Sequence, residues 1–348
     1  MANPMHKLAT SYQWLLTSVI FIVTVIAYLS LGSVSIPITD ITGLLHTYLI
    51  QGSHAAAEQY PLANAIVLHI RLPRACAAIL AGGALALAGA CSQGLFKNPL
   101  ASPDILGISA GSSFAAVIAI VTGISATAIG WLPLFTTIGA LTSALLVYML
   151  AAKSHQQGLF IILAGLAVSS LLGGLTMGVL LTAQQYEISE FVFWTMGGLD
   201  SRVWQQLLWP TPIIVIAAIV LLRHGQVLNL LALGEQNAHG MGVNVRRSRF
   251  TLLVLTTVLT AMAIAVAGPI GFIGLIVPHL VRLILGPDNR RLLPFSAIFG
   301  ALFLLLCDLL ARTVIAPNEL KTGIITAVIG GIYFIALLIR SQYKGIAQ

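Results

Sequence analysis

The sequence predicts an all-α polytopic membrane protein with about ten transmembrane helices, and three observations carry that expectation. Of 348 residues, 58% are apolar and only 8% charged, with a mean hydropathy of +0.98. A soluble surface needs about 25% charged residues to stay wet, so most of this surface must face lipid. Roughly 200 apolar residues at about 20 per bilayer crossing give something near ten spans and leave little chain for a soluble domain. The third observation is the pattern itself: long charge-free runs, broken by Gly, Pro and charge. The same composition excludes collagen, disorder and a disulfide-stapled scaffold.

Taken in order, the run from Trp14 to Leu31 exceeds the apolar core of a signal peptide, about 7–15 residues, so a first span is expected at 13–32. Further spans are expected at 62–91, 104–122, 129–152, 158–182, 207–223, 250–268, 273–286, 292–311 and 322–340. The second is longer than a bilayer requires and extends beyond it. The stretch 250–281 carries no charge, but Gly268-Pro269 and Gly271 divide it into two helices. The stretch 187–200 is too short to cross and reads as a re-entrant or interfacial helix, tolerable at membrane depth only when protein or water surrounds it. The whole chain, 1–348, is one membrane domain containing a loop at 224–249.

An even span count puts both termini on one side. That side then holds Lys7, Lys97, Lys153, Arg223, Arg246, Arg247, Arg249, Arg282, Arg290, Arg291, Arg340 and Lys344. The other side holds Arg71, Arg74, Arg202, Arg312 and Lys321. Twelve against five makes the termini and the 224–249 loop cytoplasmic. The net charge of +7 therefore reports topology, not nucleic-acid binding.

Chemistry-bearing residues are few. No GxxxxGK[ST] phosphate loop occurs. Asp308, four residues before Arg312 on the same helix face, is the one carboxylate expected within a span. Ion-coupled carriers need intramembrane acids, so an ion-coupled carrier is disfavoured and any transport is expected to be driven from outside this chain. Gly107-Ile-Ser-Ala-Gly111 fits the G-x-S-x-G elbow of serine hydrolases, with Ser109 as nucleophile and His279 as base in an intramembrane protease. Small residues at that spacing also let helices pack closely, and that reading is preferred. Cys76, Cys91 and Cys307 lie in apolar runs without metal spacing and are expected to pack. In the cytoplasmic loop, Leu230, Leu231 and Leu233 are poor choices for a segment that meets only water, so an apolar, glycine-hinged loop points to a docked partner. The outer arginines Arg71, Arg74 and Arg312 have two readings: snorkelling to headgroups, or a cationic rim that receives carboxylates of a soluble partner.

These motifs together resemble the permeases of ATP-binding-cassette importers for iron–siderophore, haem and cobalamin, the type II importers. The resemblance rests on Arg71-Leu-Pro-Arg74, Ala88-Gly-Ala-Cys-Ser-Gln-Gly-Leu-Phe-Lys-Asn-Pro-Leu-Ala-Ser-Pro-Asp-Ile-Leu-Gly107 and Leu163-Ala-Gly165. It continues through Trp194-Thr-Met-Gly-Gly198, Leu231-Ala-Leu-Gly-Glu235, Gly268-Pro-Ile-Gly-Phe-Ile-Gly-Leu-Ile-Val-Pro-His279 and Asp308 to Arg312.

The resemblance implies the type II importer permease fold, with two permease chains (a homodimer or a paralogue pair), two cytoplasmic ATP-binding subunits and one substrate-binding protein. It implies a multi-pass protein of the bacterial cytoplasmic membrane in contact with lipid, with no metal or cofactor of its own and with ATP and Mg in the partner ATPase. Arg71, Arg74 and Arg312 are then expected to receive glutamates of the binding protein. Leu233, Gly234, Glu235, Ala238, Gly240 and Gly242 are expected to form the ATPase coupling element. Asn98 and Leu100 are expected near the inner gate, and Ser169, Ser170 and Thr176 along the pathway. An iron chelate, foremost a ferric siderophore, is the expected cargo, with haem, cobalamin or an oxyanion as alternatives. Two departures stand out: Glu319-Leu-Lys-Thr-Gly323 has Lys321 where the family usually has proline, and Gly330-Gly-Ile-Tyr-Phe334 lacks a proline common at that bend.

Overall fold

In hydrocarbon each backbone N–H and C=O must find a partner within its own segment, so long apolar runs fold as helices. The computed structural model describes residues 4–32, 34–151 and 157–346, and its described residues contain helices and no strand. In chain order the principal helices begin with α1 (Pro4–Ser30), α2 (Ile38–Gln51), α3 (Pro61–Leu95), α4 (Ile108–Val121), α5 (Trp131–Ala151), α6 (Gln157–Leu180) and α7 (Gln185–Thr195). They continue with α8 (Pro210–Arg223), α9 (Gly225–Ala232), α10 (Glu235–Gly240), α11 (Val245–Ala267), α12 (Ile273–Leu285), α13 (Asn289–Thr313) and α14 (Thr322–Ile346). Among the described residues, seven helices are long and apolar enough to cross a membrane, and α4, α12 and Thr322–Leu337 are shorter apolar helices. Each expected span therefore has its helix. Lys153 and the end of the span expected at 129–152 lie outside the described residues.

Several boundaries differ from expectation, each for a local reason. The second span runs on to Leu95, and its entry, Asn64–Arg71, is wound as a π-helix immediately before Pro73. Proline lacks an N–H, and wider winding before it accommodates the interrupted ladder. The span expected from 104 is split: a 3-10 turn at Pro103–Leu106 ends at Gly107, whose φ of 69° is left-handed, and α4 starts only at Ile108. The ninth span starts at Asn289 because the Asp288 side chain caps the Arg290 N–H at 3.0 Å. The break between α11 and α12 falls where Gly268 was expected to place it.

The centre of the fold is α3, 78% of whose span is buried against α13, α11 and α12, whereas α1 and α6 bury only 22% each and face outward. Lipid tails are as apolar as leucine, so helices associate through close packing of small residues. Along α3 the alanines at 75, 77, 78, 81, 84, 86, 88 and 90 are all buried. A Cβ on Gly89 would land on the Gly274 carbonyl, and one on Gly82 would land on that of Gly300. These two contacts bring α3 against α12 and α13 at backbone distance. Gly89→Ala is expected to destabilise the protein by about 1–3 kcal/mol, as over-packing does. Gly130→Ala, at an open position, should be neutral. Thermal unfolding of the two variants in detergent compares them directly.

Candidate functional site

At the outer end of the bundle the chain gathers its strongest charges. Asp308, fully buried on α13, accepts hydrogen bonds from Tyr28 Oη (2.6 Å), Arg74 Nε (2.8 Å), Arg74 Nη2 (2.9 Å) and Thr322 Oγ1 (2.7 Å). Arg74 also donates to Glu319 at 2.7 Å. Arg312 Nε stands 3.6 Å from Asp308, and its guanidinium lies 4.1 Å from the Tyr28 ring centroid while donating to the Tyr28 carbonyl. Arg71 donates to the carbonyls of Leu29, Ser30 and Val34 where α1 ends.

Arg71, Arg74 and Arg312 are 3%, 5% and 4% exposed, so within this chain each guanidinium is taken up by internal partners. Arg74 is held by Asp308 and Glu319 and Arg312 lies beside Asp308, whereas Arg71 is held by the carbonyls that end α1, as buried charges require. Three guanidiniums face two carboxylates, which leaves the cluster electropositive. Glu319, with 34% of its side chain exposed, is its open edge.

Beside it, Lys321 pairs with Asp200 at 2.8 Å and lies 5.6 Å from the Phe193 ring centroid, tying the loop after α7 to the start of α14. The residue that replaces the usual proline thus makes a contact proline cannot. Burial pushes the Asp200 carboxyl up, but the hydrogen bond and charge of Lys321 outweigh it and hold the group below the usual carboxylate range.

At the opposite end, expected to be cytoplasmic, α9 and α10 form the two short helical pieces expected of the loop. Leu233 and Met241 stand 60% and 63% exposed, at glycine hinges Gly234 (φ 110°) and Gly242 (φ 85°). Gly240 is open, and Glu235 pairs with Arg249 at 2.6 Å. Ala238 is fully buried, so it supports the loop from within and offers no contact surface.

Sequence reasoning missed Asn229. Its Nδ2 donates to Asp288 at 2.6 Å, and its Oδ1 accepts from Asn289 N at 2.9 Å and Nδ2 at 2.8 Å, clipping α9 to the first turn of α13. The available signal was a lone amide among leucines, with an Asp-Asn helix start elsewhere in the chain.

Between these two ends, Asn98 accepts from the Leu100 N–H at 2.9 Å in an exposed turn. Leu100 lines a cavity of about 450 Å³ together with Asp104, Ser109, Thr260, Ile264 and Phe272. On α6, Ser170 is exposed, while half-buried Ser169 lies beside Gly107. Thr176 is buried, and its hydroxyl donates to its own helix at the Leu172 carbonyl. A threonine on a helix satisfies its hydroxyl this way in an apolar setting.

The Ser109 hydroxyl donates to Asp104, and no strand precedes it. Gly111 instead meets the Gly139 backbone, so α4 and α5 pack through the glycine. The His279 ring lies beside Tyr333 with its Nδ1 unpartnered. Neither the elbow nor a base hydrogen-bonded to Ser109 forms. Cys91 and Cys307 are buried and Cys76 is partly buried, all as free thiols.

Among the described residues, a helical bundle with seven membrane-length apolar helices and three shorter ones, a clipped two-helix loop at one end and a buried ionic cluster at the other defines a multi-pass membrane protein. Residues 20–340 match the model of the FecCD transport family, and the chain belongs to that family. It is 40% identical over 282 residues to the hemin transport system permease protein HmuU of Yersinia pestis, covering 80% of this chain and 84% of that one. It is 42% identical over 290 residues to the cobalamin import system permease protein BtuC of Halobacterium salinarum, covering 82% and 77%. Among solved structures, an inward-facing conformation of a putative metal-chelate type ABC transporter superposes with a TM-score of 0.81 at 30% identity, covering 93% of this chain and 97% of that one.

Two predictions test the outer cluster. Asp308→Leu should cost about 3–5 kcal/mol by leaving Arg74 buried without its carboxylate, and adding Arg74→Met should recover much of that loss. Thermal unfolding in detergent reads both, and a double variant no better than the single would refute the pairing. Because Asp200 is held low, its contribution is complete above the unfolded-state value of about 3.9 and disappears as pH falls through the lower folded value. Lys321→Met should therefore lower stability at pH 7 by no more than about 1 kcal/mol and blunt the acid loss below pH ~4.

Proposed function

We propose that this chain is the membrane permease subunit of an ATP-driven importer in a bacterial cytoplasmic membrane, with both termini cytoplasmic. The observation that carries this reading is the exposed apolar pair Leu233 and Met241, held on a glycine-hinged loop that Asn229 clips to α13. Such a loop suits a groove in a separate ATPase subunit, and Glu235, Gly234, Gly240 and Gly242 would set its shape. ATP and Mg would be held by two such subunits. A second permease chain, identical or paralogous, would cover the outward face of α6 and enclose the pathway beside Ser170, with Asn98 and Leu100 near its inner end.

At the outer face a substrate-binding protein would dock. An incoming glutamate would exchange with Glu319 at Arg74 and offset the positive excess that Arg71 and Arg312 contribute. The cargo would be an iron chelate, foremost a ferric siderophore. Relatives named for hemin and cobalamin, and a solved neighbour of metal-chelate type, support that chemical class. Haem, cobalamin or an oxyanion remain the other substrates of the same mechanism.

ATP would act by favouring one of two helix packings through the loop. The test is chelate uptake into vesicles containing the chain with its ATPase and binding protein. Glu235→Arg with Gly242→Pro, and separately Asn229→Ala, should each lower uptake per ATP hydrolysed at least several-fold. Unchanged uptake in both would sink the coupling role. Ferric siderophore, haem and cobalamin compared side by side would decide the cargo.

A further inference from the structure

At the end of the bundle expected to be cytoplasmic, Lys97, Arg246 and Arg249 converge with Phe96, Tyr148 and Phe250 on a cavity of about 210 Å³. Lys97 follows α3 with a left-handed φ of 52°, Arg246 opens α11, and Tyr148 lies in the last turn of α5. Lys97 and Arg246 are exposed, and among the described residues neither has a carboxylate partner. The Tyr148 and Phe250 rings stand 5.2 Å apart beside these cations, a pairing of aromatic and basic side chains that suits a headgroup layer.

This cavity does not end at the rings. Tyr148, Ile161, Phe250 and Leu253 also line a second, apolar groove of about 130 Å³ that descends between α5 and α11 past Leu145, Leu141, Val254 and Leu106. Leu141, Leu145 and Val254 are exposed along it. A basic mouth at the cytoplasmic face and an oily trough running into the membrane are complementary to the two ends of one molecule. A free phosphate would satisfy the mouth and leave the trough empty. An acidic protein segment would have the same defect.

We propose that this is a binding site for an anionic phospholipid of the cytoplasmic leaflet, its phosphate on Lys97 and Arg246 and one acyl chain in the groove. The site also touches the loop. Arg249 lines the mouth and holds Glu235 at the start of α10, so a headgroup phosphate competes with Glu235 for the same guanidinium. Lipid occupancy thereby biases the loop conformation, whatever the chain transports.

Native mass spectrometry of the detergent-purified chain, with dioleoyl phosphatidylglycerol or dioleoyl phosphatidylcholine added, tests the site because the tails are identical and only the head differs. Phosphatidylglycerol should be retained in preference. Each cation removed should weaken it about fivefold, so Lys97→Gln with Arg246→Gln should lose about 25-fold. Lys97→Arg with Arg246→Lys should retain binding, and thermal unfolding confirms that each variant is folded. Leu145→Trp, which fills the trough and leaves every cation in place, should also release the lipid. Equal retention of the two lipids overturns the proposal, as does undiminished phosphatidylglycerol on the double Gln variant. If inorganic phosphate displaces the lipid while Leu145→Trp does nothing, the mouth is an anion site and the lipid reading fails. If the double Gln variant loses only ATPase binding, the cations serve that partner and the reading fails equally.

Discussion

One carboxylate organises the outer half of this molecule. Asp308 is fully buried, and a bare charge in that position would cost several kcal/mol. It persists because four elements deliver donors to it: Tyr28 from α1, Arg74 from α3, Arg312 from its own helix and Thr322 from the start of α14. The shared carboxylate thereby fixes how the four helix ends meet. The burial of Arg74 and Arg312 goes with it, while Arg71 is buried against the carbonyls that end α1.

The same helix connects that cluster to the opposite face. α13 spans 25 residues, roughly 37 Å at about 1.5 Å per residue, enough to cross the bilayer. Asp308 and Arg312 anchor its last turns, while Asp288 and Asn289 receive Asn229 at its first. Through most of its length it packs on α3, where Gly82 and Gly300 meet at backbone distance. Held by side-chain hydrogen bonds near both ends and pressed against a glycine seam, α13 joins the two polar clusters through one packed helix.

The spans were legible because charge-free runs in a chain with so little charge leave no other fold. The break at Gly268-Pro269 and the hinges at Gly234 and Gly242 were legible because glycine and proline act locally. What escaped the sequence depends on residues distant along the chain. Whether Arg74 meets water or a carboxylate is decided by Asp308, 234 residues away, and Tyr28 lies 280 residues from the same acid. Asn229 finds Asp288 across 59 residues. Thr176 is hard to read for a different reason: its hydroxyl has a partner on its own helix, which by residue type alone looks the same as a hydroxyl that lines a polar route. Ala238 shows the same limit, since a motif position does not reveal which of its residues face inward.

Among the described residues the paired and clustered charges gather at the two ends of the bundle. One end holds Arg71, Arg74, Arg312, Asp308, Glu319 and the Lys321–Asp200 pair, and the other holds Asp288, Glu235, Arg249, Arg246 and Lys97. Between them the described surface of α6 presents Leu163, Leu166, Ser170, Gly174 and Met177, none of which carries charge. A face of that kind offers a neighbouring chain or lipid apolar contact and a single hydroxyl, so a charged partner would have to engage the protein at one of the two charged levels, and α13 is the element that joins them.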